Sequence, residues 1–255
     1  MNIAGLNIKD KDTLNKELPI PNFLEDDDYV KVIVYAIKSS RVGEAEYESK
    51  RLLRWLLHSI KSARYNLFEA LFSDKFFIDE SIANDKEWYI GNSLYNSIMW
   101  YNTTFDIVLQ FIWVHYRFFE KINSAQSFNF ENTQAQDIFK KCRYESIEKL
   151  YSRTTFTLFN ELKGLNNYIT DIREWTNNIK HRGAFRITDI PISEGFNLKT
   201  VKELNPKDPE KEQIVYDSDN SIIEKTAQEI ATLLMEYHKK LYTFIDTLFQ
   251  ESTRK

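Results

Sequence analysis

Apolar residues recur along this chain at helical spacing in four long segments. Between residues 44 and 72, Leu52, Leu56, Ile60 (or Ser59), Ala63, Leu67 and Leu71 return every three or four positions, which sets them on one helix face. A second helix is expected to open at Asn92 or Ser93 and reach about Ile122. It is apolar around most of its circumference, as suits a helix surrounded by others. The third region runs from about Thr133 to Arg182, with a break expected near Ser152 or Gly164. There Leu158, Leu162, Leu165, Ile169, Ile172, Thr176 and Ile179 alternate steps of four and three, a heptad-like seam. Ile223, Ala227, Ile230, Leu234, Tyr237, Leu241, Phe244 and Leu248 repeat that spacing in a last helix, with Ser221 and Glu224 as its expected capping box.

The intervening segments read differently. Residues 1–28 are polar, carry Pro19 and Pro21 and end in an acidic run at 25–28, which predicts an N-terminal arm. The stretch YVKVIVYAIK (29–38) has β-branched residues that suit a strand, yet Val30, Ile33, Val34 and Ile37 fall at helical spacing; helix is the preferred reading. After Gly183 two short runs, AFRITDIPI and EQIVYD, flank a charged loop with Pro206 and Pro209. They predict a β-hairpin-like insertion over 183–219. The fold expected is therefore all-α: an antiparallel four-helix-type bundle forming one domain over 29–255, with that insertion before the last helix.

Composition agrees with helices, since six Gly and five Pro are poor material for an all-β fold. A net charge of −4 provides no global basic field towards nucleic acid or anionic membrane, so any such contact needs a local patch. Cys142 is the only cysteine, which excludes an intramolecular disulfide and a cysteine-based zinc site. It reads as a half-buried small apolar residue. The most apolar window, 107–119, is too short to span a membrane and is bounded by Asp106, Glu120 and Lys121. With no basic start and apolar run at the N-terminus, a cytoplasmic protein is expected.

Motifs for nucleotide, metal or serine chemistry are missing: no Walker loop, dinucleotide fingerprint, HExxH or GxSxG occurs. The residues three before His58, His115, His181 and His238 are Trp55, Ile112, Asn178 and Met235, so the Glu-x-x-His signature of di-iron bundles also fails. No metal or cofactor is expected. His58, His115 and His238 read as structural histidines. His181 has different company, in the stretch NNIKHRG. Arg173, Asn177 and His181 are successive i, i+4 neighbours on a stripe turned away from the seam of Thr176 and Ile179. Lys180, Arg182 and Arg186 add positive charge. Such a set can hold a phosphate while an imidazole moves a proton. Cations in a last helical turn followed by Gly183 are equally a helix stop, and the two readings coexist.

This arrangement resembles the HEPN superfamily, all-helical bundles found in toxins, anti-phage systems and RNA-processing proteins. The resemblance rests on a long helix ending in Asn177-Asn178-Ile179-Lys180-His181-Arg182, the N-x-x-K-H-R sequence of uncharacterised bacterial branches, with another long helix after it. It implies a metal-independent ribonuclease, or an RNA- or nucleotide-binding protein, of a defence or toxin–antitoxin type. His181 would be the general acid–base, with Asn177 or Asn178 as the adjacent polar residue and Arg173 or Arg182 on the phosphate. Asn178, Lys180, Arg182 and Arg186 would line the substrate. The family commonly pairs two copies of its motif across a homodimer. Its active motif sets Arg and His closer together than the seven residues, 174–180, that separate Arg173 from His181. A catalytically inactive dimerisation or protein-interaction module is the alternative.

Overall fold

The structure is a computed structural model that describes residues 2–3, 6–7, 9–19, 44–72, 86–122, 139, 141–181, 185–190, 202–204, 212–214 and 223–253. The readings for 29–38 and for the acidic run at 25–28 lie outside these residues. The described chain is mostly helical. Within the expected N-terminal arm, β1 (Asn2–Ile3) pairs with β2 (Leu6–Asn7), and α1 (Lys11–Glu17) follows. Asp10 caps α1, its Oδ1 accepting from the Thr13 amide at 2.8 Å. Leu14 and Leu18 are fully buried, so this stretch joins the core.

The long helices follow the apolar pattern. In α2 (Glu44–Leu71) every seam residue from Leu52 to Leu71 is buried. The next helix, α3 (Lys86–His115), opens ahead of the expected Asn92, because Ile90 already belongs to its buried face and Glu87 suits a first turn. It also ends sooner. Arg117 takes a left-handed φ of 56°, and α4 (Phe118–Ile122) departs in a new direction that buries Phe118 and Phe119. The expected break near Ser152 is present: α5 (Tyr144–Leu150) passes into a 3-10 turn over Tyr151–Arg153, and Thr154 is extended. Gly164 sits inside α6 (Phe159–His181) with open space around it and breaks nothing.

The expected hairpin is corrected. Strand β3 (Phe185–Ile187) does not pair with the EQIVYD run; it pairs in parallel with a strand just before the last helix, Phe185 opposite Ile223. Two other short strands, β4 (Lys202–Leu204) and β5 (Glu212–Ile214), pair antiparallel between them. Phe185 and Ile187 point inwards and Arg186 outwards, so the core fixes the pairing of β3 with β6 (Ile223–Lys225). The capping box moves for the same reason. Residues 223–225 are spent on β6, and α7 (Ala227–Thr253) is opened by Thr226 and Glu229 instead.

Side-chain contacts give the helix directions. Ser97 donates to the Ala63 carbonyl at 3.0 Å and Tyr89 to Glu69 at 2.7 Å, so α2 and α3 run antiparallel. Asp106 meets Arg173 while Tyr116 meets Phe156, which sets α6 antiparallel to α3. Thr157 donates to Glu251 and Lys240 lies over Tyr168, so α7 reverses again against α6. Helix α3 packs chiefly against α2 and also touches α6 and α7, and its Tyr101, Phe105, Val108 and Ile112 are fully buried. None of the described helices is long and apolar enough to cross a membrane.

Candidate functional site

The seam of α6 fixes where its polar residues fall. Ile169, Ile172 and Thr176 are buried, which leaves Arg173 on one shoulder of the helix, beside α3. The sequence turned this stripe away from the seam, towards solvent or a second surface; Arg173 is half-buried against α3 and Asn177 is exposed. The Arg173 Nη2 donates to Asp106 Oδ1 at 3.0 Å, and the guanidinium lies 5.0 Å from the Phe105 ring centroid. Both side chains of the pair keep solvent contact, so the pairing is worth at most about 1 kcal/mol. It does offset the charge of the arginine. Among the described residues only one of the guanidinium donors is used, on Asp106, which leaves the others to an anion that approaches from the cleft.

That cleft has a volume of about 330 Å³ and is lined by Asp106, Gln110, Cys142, Arg143, Glu145 and Arg173 among others. Arg143 is exposed and has no side-chain partner among the described residues. The Cys142 thiol is pushed up to about 12, first by burial and then by the Asp106 carboxylate, so it is no nucleophile near neutral pH. That agrees with its reading as an apolar residue.

Further along α6 the expected residues part company. Asn177 and Lys180 are exposed. Asn178 is buried, and its Nδ2 donates back to the Glu174 carbonyl at 2.8 Å, so its amide serves the helix rather than a substrate. His181 is the last residue of α6, about 12 Å beyond Arg173 by helical rise. Its side chain, with Arg182 and Gly183, lies outside the described residues. Arg186 is exposed on β3, with Glu224 of β6 at 3.8 Å. The structure therefore brings Arg173 together with Asp106 and Arg143, and sets Asn177 and Lys180 one and two turns further towards the end of the helix, with Arg186 on β3 after it.

The opposite flank of α6 is acidic. Asp171 faces Glu229 and Glu236 of α7 across a groove of about 530 Å³, and Glu174 lines its continuation. The acidic groups give that flank a negative field that disfavours a polyanion. Among the described residues no group of His, Cys, Asp and Glu is placed to hold a metal ion. Sequence reasoning missed Asp106 as part of this site. The signal was present, since Asp106 is the one carboxylate in the apolar stretch of α3 from Trp88 to His115. In comparisons with known proteins, no family model, curated protein or solved structure matches the chain.

Proposed function

We propose that this chain is a HEPN-like antiparallel four-helix bundle, built from α2, α3, α6 and α7, that binds RNA at the end of α6. One observation carries the proposal: Asn177, Lys180 and Arg186 are all exposed at the end of the molecule where α6 finishes on His181. Exposed cations and an amide suit phosphate and base edges, and the histidine on which the helix ends would supply the general acid–base that metal-independent cleavage needs. A defence or toxin–antitoxin role, and action as a homodimer, belong to the same proposal. The second reading, a catalytically inactive interaction module, is favoured by the engagement of Arg173 with Asp106.

Incubation of varied RNAs with the protein in EDTA separates the readings. Cleavage that disappears in His181→Ala supports a ribonuclease. Binding without cleavage, weakened by Lys180→Glu, supports an inactive RNA binder. If neither occurs while the protein dimerises, the interaction module stands. Asp106→Asn adds a sharper test, because releasing Arg173 is expected to tighten RNA binding severalfold where that arginine touches phosphate, and to change nothing where it does not.

A further inference from the structure

Helix α2 has a polar face that its apolar seam leaves unexplained. Between residues 47 and 71 its exposed positions are Tyr47, Arg51, Arg54, Trp55, His58, Lys61 and Tyr65. Every one is aromatic or basic, in a chain whose net charge is −4. The acidic residues of the same stretch are withdrawn from that face. Glu48 takes the bidentate attention of Arg51, at 2.5 and 2.7 Å, and Glu69 is buried under the Tyr89 hydroxyl. Arg54 and Lys61 have no partner among the described residues.

The aromatic rings are unusually exposed for their size, at 54% for Tyr47, 50% for Trp55 and 58% for Tyr65. Burying them in the core was open to the sequence only on the other side of the helix. Trp55 is held in place by the edge of His58, 6.0 Å away at 82°, and His58 in turn stands edge-on to Trp100 of α3 at 5.8 Å. From Tyr47 to Tyr65 the stripe runs about 27 Å along the helix, with cations between the rings.

We infer that this face of α2 is a docking surface for single-stranded RNA, with Trp55, Tyr47 and Tyr65 stacking on bases and Arg54 and Lys61 contacting phosphates. Charge complementarity selects a polyanion, and exposed ring faces select one whose bases are unpaired. The inference rests on the RNA-binding reading for its ligand, but it assigns the contacts to a face remote in sequence from the end of α6.

The test is fluorescence anisotropy of a labelled single-stranded oligouridine, and of the same strand in a duplex, with the full chain at rising potassium chloride. Trp55→Ala is expected to weaken single-strand binding about tenfold, and Trp55→Phe to restore most of it. Arg54→Ala with Lys61→Ala is expected to lower the salt slope by about 1.4, two cations at about 0.7 each. Circular dichroism and thermal melts show that these surface variants still fold. RNA binding that is unchanged in all of them overturns the stripe and leaves the α6 proposal standing. Absence of RNA binding by the wild type overturns both. If the variants abolish a dimer seen by sedimentation without altering RNA binding, the face joins two copies of the chain and the inference is wrong.

Discussion

His238 shows how a single side chain can tie several segments together. The imidazole is fully buried, with Nε2 2.7 Å from the Pro19 carbonyl and Nδ1 2.9 Å from the Tyr101 hydroxyl. A carbonyl only accepts, so Nε2 carries the proton and Nδ1 accepts from Tyr101. Burial holds the folded pKa down to about 4, against the opposing pull of the Pro19 carbonyl and with smaller help from Arg64 and Lys239. The unfolded chain binds this proton near pH 6.5, whereas the folded one refuses it until about 4. Stability from this group is therefore complete above about pH 6.5 and is lost as pH falls towards 4, by about 3 kcal/mol. Urea titrations across that window are expected to show the decline in the wild type and a shallower one in His238→Gln. Parallel curves would mean that the ring takes up its proton equally in the folded and the unfolded chain. In the sequence His238 reads as a structural histidine, and its burial agrees; its partners, far away in the chain, were not legible.

At the scale of elements, what was legible is what repeats locally. The seams of α2, α6 and α7 lie where their spacing put them, because a periodic apolar face has only one way to be buried. The strand pairing was not legible, since β3 and β6 meet across a long stretch of chain and nothing local distinguishes a parallel partner from an antiparallel one. The start of α7 was misplaced for the same reason. Ser221 and Glu224 have the residue types of a capping box, as do Thr226 and Glu229, and only the pairing of residues 223–225 decides between them. In the structure Glu229 Oε2 accepts from the Thr226 amide at 2.7 Å, and Thr226 Oγ1 accepts from the Glu229 amide at 3.1 Å. Asp189, in the turn after β3, accepts from the Ala227 amide at 2.8 Å and fastens that turn to the helix. Thr226→Ala is accordingly expected to lower stability by about 1 kcal/mol in chemical denaturation. Ser221→Ala provides the comparison, and a loss there as large as at Thr226 would restore the earlier start.

Across the whole molecule, the N-terminal segment closes a structure that the long helices leave open. Leu14 and Leu18 are fully buried, the Leu18 carbonyl accepts from Arg64 Nε at 2.6 Å, and Asn15 Oδ1 accepts from the same guanidinium at 2.7 Å. The Lys9 amide donates to the Leu71 carbonyl at 3.2 Å, at the very end of α2, while Pro19 reaches His238 on α7. One short stretch thus clasps α2 to α7. Sequence reading made it an arm because two leucines in a polar, proline-bearing stretch are too few to show a period. Their burial predicts otherwise. Two leucines contribute roughly 1.5–3 kcal/mol each when fully buried, so deletion of residues 1–19 removes about 3–6 kcal/mol from the hydrophobic term alone. It also exposes His238 to water, so that its pKa returns towards the ordinary value and the decline in stability towards acid pH flattens. Against a total of about 5–15 kcal/mol for an average domain, the truncated chain is expected to melt far below the full one, and Leu14→Ala and Leu18→Ala to fall between them. If the truncated protein denatures at the same urea concentration, with the same dependence on pH, the segment is an arm after all and the core is complete without it.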